Sequence, residues 1–230
     1  MIIKLKRILL YIASSVAVFV LLSVLSVLIY KIINPPLTPI MLIRIFEGWF
    51  DNKDIGINYK WVPYDEISPN VFRAVIAAED GRFMMHGGID WKAVEAAKRY
   101  NEIYKGRKVR GASTITMQTA KNVFLWHGRN YIRKAFEVYF TYLIEFLWGK
   151  KRILEIYVNI VEFGNGIYGI EAASRFYFNK SAKDLTARES AALASILPNP
   201  RQRSPLQTTP RQEHKIKFIM GRMNSVRIPK

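Results

Sequence analysis

Two carboxylates, Glu79 and Asp80, close an apolar run and lead into a glycine-punctuated turn, Gly81-Arg82-Phe83-Met84-Met85-His86-Gly87-Gly88-Ile89-Asp90. A carboxylate at a helix end beside a loop is placed to take a proton from a substrate, and partial burial makes it a better acceptor. Glu79 is therefore the candidate general base. His86 reads first as a side chain that hydrogen-bonds the turn, and Asp90 as the N-cap of the next helix.

A second group follows at Gly111-Ala112-Ser113-Thr114-Ile115-Thr116-Met117-Gln118-Thr119-Ala120-Lys121-Asn122. Small residues lead into hydroxyls able to cap a helix, whose first N–H groups and dipole would suit a phosphate. Thr114, Gln118 and Lys121 fall at i, i+4 and i+7, on one helical face. Arg129, Arg133 and Lys134 add cations, with Glu137 one turn beyond Arg133 as a pairing partner. From Lys105 to Arg152 the only acidic residues are Glu137 and Glu145, against eleven lysines and arginines.

One base and a separate cluster of cations, without an evident acid or activated nucleophile, suit a particular displacement. A diphosphate leaves as a stabilised anion and needs its charge neutralised, while an attacking sugar hydroxyl needs its proton removed. A hydrolase of ordinary glycosides needs the converse, a protonated carboxylic acid for a poor leaving group. Two other chemistries lack their context. His86, His127 and His214 lie far apart and show no zinc-binding spacing. Gly164-Asn165-Gly166-Ile167-Tyr168-Gly169 matches G-x-G-x-x-G, but the residues before it read as helix, so a helix-connecting loop is expected and not a dinucleotide site.

The elements that must position these residues are overwhelmingly helical. Ser68 can cap a helix whose first position is Pro69, with Val71, Ala74, Val75 and Ala78 spaced for one buried face. Asp90 opens a helix to about Tyr100, and Ser113 or Thr114 another. Tyr131 to Trp148 and Lys151 to Val161 continue at helical spacing. Thr186-Ala187-Arg188-Glu189 is a capping box before a helix that stops at Pro198-Asn199-Pro200, and a last helix is expected around His214 to Met223.

The N-terminus carries no charge from Ile8 to Tyr30, long enough for a membrane-crossing helix of about 20 residues. No small-residue cleavage site follows, so residues 8–30 read as a retained anchor. Lys4, Lys6 and Arg7 place residues 1–7 in the cytoplasm by the positive-inside rule. Asn34-Pro35-Pro36 breaks the helix, Leu37 to Phe50 reads as a short amphipathic helix, and residues 31–60 form a juxtamembrane linker. The chain has no cysteine and a formal net charge of +17. For a domain exported from the cytoplasm, that charge points to anionic lipid headgroups or a phosphate-bearing substrate, not to nucleic acid.

E-D-x-x-F-x-x-H-x-G-x-D at Glu79 to Asp90, the Gly111 to Asn122 block, R-K-x-x-E at Arg133 to Glu137 and K-K-R-I-L-E-I-Y-V-N at Lys150 to Asn159 together resemble the peptidoglycan glycosyltransferases. The likeness continues through E-F-G-N-G-I-Y-G-I-E-A-A and Tyr177-Phe178, covering about Trp61 to Pro200. Ala112 and Met117 depart from residues common in that family, and no S-x-x-K occurs to supply the serine of an accompanying transpeptidase. The resemblance implies an all-α, lysozyme-like, two-lobed domain over residues 61–230, with a membrane-dipping jaw at about 91–132. Val123, Phe124, Leu125, Trp126, Tyr131 and Ile132 would be interfacial. It implies polymerisation of lipid II at the outer face of the bacterial cytoplasmic membrane, with Glu79 and Glu137 catalytic. Asp80, Phe83, His86, Ser113, Thr114, Gln118, Lys121, Asn122, Arg129, Arg133 and Lys134 would bind substrate. Glu137 would orient a cation or a divalent metal such as Mg or Mn, and no organic cofactor is implied. Partners would be lipid II, the nascent glycan, membrane lipids and cell-wall synthesis or division proteins. A lysozyme-like glycan-cleaving enzyme and a non-enzymatic lipid II-binding scaffold are the alternatives.

Overall fold

The computed structural model describes residues 2–50, 56–105, 109–128 and 130–229. The chain divides into two compact units, the first ending at Asn34 and the second starting at Pro35. The first is α1 (Ile2–Ile32), of which Lys6–Ile32 is long and apolar enough to cross a membrane. Inside it the Ser23 and Ser26 hydroxyls donate to the carbonyls of Val20 and Ser23, each at 2.8 Å, so these polar groups are satisfied within the helix.

The second unit is all-α, as expected, apart from three very short strands. It opens with α2 (Pro39–Phe50), where Thr38 accepts a hydrogen bond from the Met41 N–H at 3.3 Å. α3 (Pro69–Glu79) starts at Ser68, which caps Asn70 N–H, and ends at Asp80, whose φ of −155° leaves the helical region. α4 (Trp91–Ile103) is capped by Asp90, and α5 (Ile115–Phe124) by Thr114. α6 (Tyr131–Ile160) joins the two helical stretches expected from the sequence into one element broken at Gly149, whose φ of +76° only glycine adopts without strain.

Gly164 to Gly169 is not a plain helix-connecting loop. β2 (Glu162–Gly164) and β3 (Ile167–Tyr168) form a hairpin, and β1 (Asn58–Tyr59) joins β3 in parallel, giving the order β1-β3-β2. Strands of two or three residues are too short to show an alternation in sequence. At the end of the hairpin Gly169 has a φ of +80°, and a Cβ there would lie 2.3 Å from the Asn159 carbonyl oxygen. Asn159 itself is wholly buried and fastens the incoming chain by bonding both the N–H and the carbonyl of Val62 at 2.9 Å.

α7 (Ile170–Phe178) follows the hairpin; the Thr186 capping box then opens α8 (Ala187–Ile196). α9 (Pro210–Met223) begins earlier than expected, because Thr209 caps it and Pro210 takes its first position. α3 packs against α8 and α9, and α5 against α6. Alanines on both sides, Ala74 and Ala77 of α3 and Ala191, Ala192 and Ala194 of α8, are buried. Such small residues let helix backbones approach closely. The site-bearing end of α3 is thus gripped from behind by α8 and α9.

Half of the segment expected at the membrane interface is core. Val123 and Leu125 are buried, and Phe124 stacks on Phe140 with ring centroids 4.6 Å apart. Trp126, Tyr131 and Ile132 do face outward.

Candidate active site

Glu79 is the last residue of α3 and is half-buried. Gln118 of α5 donates from Nε2 to Glu79 Oε2 at 3.0 Å, and the Tyr157 hydroxyl of α6 donates to Gln118 Oε1 at 3.1 Å. A carboxylate only accepts, so the amide turns its NH2 to Glu79 and leaves its carbonyl for the phenol. Burial holds the Tyr157 hydroxyl well above the usual phenol range, and the charges of Glu79 and Asp80 push the same way. Tyr157 stays protonated and fixes the amide, which fixes the carboxylate.

Asp80 works for the fold. Its Oδ1 takes His86 Nε2 at 2.9 Å and its Oδ2 accepts the Ile115 N–H at 3.1 Å. The Thr114 hydroxyl accepts the Met117 N–H at 3.1 Å and donates to the Gly88 carbonyl. Two of the N–H groups at the start of α5, those of Ile115 and Met117, are thus taken by Asp80 and Thr114. Asp80, His86 and Thr114 tie the turn to α5, Asp80 and Thr114 also line a cavity beside Glu79, and Phe83 is fully buried with Lys150 Nζ 4.4 Å above its ring.

Two cavities border the Glu79–Gln118 pair. A smaller one of about 280 Å³ is lined by Glu79, Ser113, Arg110 and Arg222, among others. A larger one of about 450 Å³ is lined by Gln118, Lys121 and Asn122 together with residues of α2 and the β2–β3 hairpin. Thus the structure places Ser113 apart from Lys121 and Asn122, and Gln118 between them.

The expected cation cluster forms. Arg133 Nη1 and Lys134 Nζ both bind the buried carboxylate of Glu137, and Arg133 Nε donates to the Gly128 carbonyl at 2.8 Å. Burial lowers the pKa of the Lys121 ammonium; Glu137 works against that shift, and Arg133 and Lys134 add to it. The four therefore act as one electrostatic group, with two cations bonded to one carboxylate and a third, Lys121, within its influence. Arg129 lies outside the described residues. Both oxygens of Glu137 are engaged, and among the described residues no group of three or more His, Asp or Glu could hold a metal ion. The residues present do not fit a divalent cation held by Glu137.

Sequence reasoning gave no role to Tyr157, Arg222 or Lys215. Tyr157 sits inside a motif that carried the resemblance, so a signal existed. Arg222 covers Gly81, where a Cβ would lie 2.5 Å from its guanidinium. Burial lowers the pKa of the Lys215 ammonium while the Glu79 charge favours its protonated form, and its Nζ donates to the Ser195 carbonyl at 3.2 Å. Nothing in a basic C-terminal stretch distinguishes these two cations from their neighbours.

The family model described as Transglycosylase matches residues 51–224. A biosynthetic peptidoglycan transglycosylase of Rhodospirillum centenum is 48% identical over 221 residues, which is 96% of this chain and 93% of that protein. Proteins of the same description from Caulobacter vibrioides and Bdellovibrio bacteriovorus are 53% identical over 177 residues and 48% over 192. These alignments cover 77% and 84% of this chain, and 74% and 76% of the two relatives.

Proposed function

This chain belongs to the transglycosylase family, and from that premise we propose how its residues carry the reaction. It is a membrane-anchored peptidoglycan glycosyltransferase that polymerises lipid II into linear glycan strands by β-1,4 transfer, releasing undecaprenyl diphosphate. The larger cavity takes the donor. Lys121, Arg133 and Lys134 neutralise its diphosphate, Asn122 binds nearby, and Glu137 keeps the cations in place; Arg129 joins them from outside the described residues. The acceptor approaches from the side of Ser113, and Glu79 removes the proton from its N-acetylglucosamine 4-hydroxyl. That oxygen attacks C1 of the donor's N-acetylmuramic acid with inversion, the C1–O bond to the diphosphate breaks, and the electron pair leaves with the phosphate.

The observation that carries this reading is the Tyr157–Gln118–Glu79 chain of hydrogen bonds, which ties a base in the smaller cavity to Gln118, a wall residue of the larger cavity that Lys121 and Asn122 also line. General-base catalysis contributes about 10²–10⁴-fold. Glu79→Gln keeps the amide within reach of Gln118 but cannot take a proton, so the variant should remain folded and lose at least about a hundredfold in lipid II polymerisation. Glycan synthesis at the parental rate would remove Glu79 from that role.

By the positive-inside rule the catalytic domain faces the outer side of the bacterial cytoplasmic membrane. Residues 91–132 form the membrane-dipping jaw of a two-lobed, lysozyme-like domain. The outward Trp91, Ile103, Val109 and Trp126, with Tyr131 and Ile132 at its edge, support that placement. Cell-wall synthesis or division proteins are the partners that such a position would bring within reach.

A further inference from the structure

The larger cavity extends past Gln118 and Lys121 to Arg44, His127, Glu162 and Tyr168. Each of these four carries a buried polar atom with no hydrogen-bond partner among the described residues: Arg44 Nε, His127 Nε2, Glu162 Oε1 and the Tyr168 hydroxyl. Such atoms are uncommon, because a buried polar group without a hydrogen bond is costly to keep. Tyr168 has no exposed surface at all. Four such atoms on residues that line one cavity leave bonding capacity for a polar group there.

Their charges say what kind of group. Arg44 is paired with Glu47, its Nε lies 3.9 Å from Glu162 Oε2, and Arg201 lines the same cavity, so two cations meet two carboxylates. The Lys121 cluster has three cations against Glu137 alone and suits a diphosphate. This end of the cavity is balanced and suits an uncharged group. Burial lowers the pKa of His127, with Arg44 and Lys121 adding to the shift, so the ring is neutral at physiological pH and offers a donor on one nitrogen and an acceptor on the other. Burial raises the pKa of Glu162. Donors and acceptors are thus mixed, as an amide with its N–H and C=O requires. The volume, about 450 Å³, lies in the range of small-ligand sites.

We propose that Arg44, His127, Glu162 and Tyr168 form a subsite for the uncharged substituents, above all the acetamido group, of the sugar that carries the diphosphate. Arg44 comes from α2, which ends before residue 51, where the family match begins. The juxtamembrane helix is therefore a wall of the donor pocket and reads the donor. This inference rests on the larger cavity being the donor site.

Tyr168→Phe is the direct test, because its hydroxyl holds no part of the fold together. The KM for lipid II should rise about tenfold with kcat changed less than about threefold, while the melting temperature stays level or rises. Glu162→Gln should act in the same direction. The parent should prefer lipid II over an analogue with a hydroxyl in place of the muramyl acetamido group by at least about tenfold, and both variants should lose most of that preference. If lipid II is not polymerised by the parent, or Lys121→Ala leaves donor binding intact, the donor-site reading falls. If the parent polymerises lipid II and Lys121→Ala weakens donor binding, yet Tyr168→Phe and Glu162→Gln keep the parental KM and preference, the subsite alone is overturned.

Discussion

At the scale of single residues, Lys121 is a cation whose chemistry its surroundings alter. Burial lowers its pKa, Glu137 compensates in part, and Arg133 and Lys134 press it further down. A lysine whose folded pKa lies below its unfolded value costs the fold stability while both states hold the proton. That cost is relieved as pH rises through the folded pKa towards the unfolded one of 10.5. Diphosphate binding needs the charged form, so it should weaken over the same rise. Stability and donor affinity thus move in opposite directions. Measuring kcat/KM for lipid II and the urea midpoint from about pH 7 to 10, in the parent and in Lys121→Met, isolates the effect. The variant should lose at least about tenfold in kcat/KM at neutral pH, be no less stable, and show a smaller decline of kcat/KM towards alkaline pH. A Lys121→Met protein with the parental pH profile for donor use would show that this ammonium does not meet the phosphate.

At the scale of elements, the backbone joint between α6, the hairpin and α7 lies two residues from Tyr157, whose bond to Gln118 leads to Glu79, the proposed base. Gly169 →Ala tests it. The new Cβ would fall 2.3 Å from the Asn159 carbonyl oxygen at a φ of +80°, so strain and clash add. A loss of about 3–5 kcal/mol in urea unfolding is expected, at the upper end for single substitutions. A change below about 1 kcal/mol would mean the joint yields freely. The helices around it were legible because their caps are local: Ser68, Asp90, Thr114 and Thr186 all bond within three residues of themselves. The sheet and the Asp80 contact at the start of α5 were not. Asp80 meets Ile115 across 35 residues and β1 meets β3 across more than a hundred, and neither pairing leaves a periodic trace. For the same reason Gln118 was picked out by its place beside Lys121 on a helical face, whereas its bond to Glu79 emerges only when α3 and α5 are packed.

At the scale of the whole molecule, the reaction pairs a water-soluble step with a substrate whose tail stays in lipid. α1 is long and apolar enough to hold the enzyme at the membrane, and on the proposed reading the donor's diphosphate must also reach the cation cluster. The N-terminal turn of α6 is suited to that interface. Tyr131 and Ile132 are 96% and 70% exposed, directly before Arg133 and Lys134, which hold Glu137. Inserting both side chains into the lipid boundary would gain roughly 1.5–3 kcal/mol each if fully buried, and the neighbouring lysines and arginines would add attraction to anionic headgroups. Replacing Tyr131 and Ile132 together by Asp removes that gain without touching the core, so the urea midpoint should hold. In vesicles containing anionic lipid, polymerisation of long-chain lipid II should fall at least about tenfold, because the two insertions together are worth more than the 1.4 kcal/mol that a tenfold change requires. With a short-chain, water-soluble donor the double variant should match the parent. An equal loss on both donors would place Tyr131 and Ile132 at the phosphate and not at the lipid. No loss on either would leave the start of α6 clear of the membrane and assign the interface to Trp91, Ile103, Val109 and Trp126.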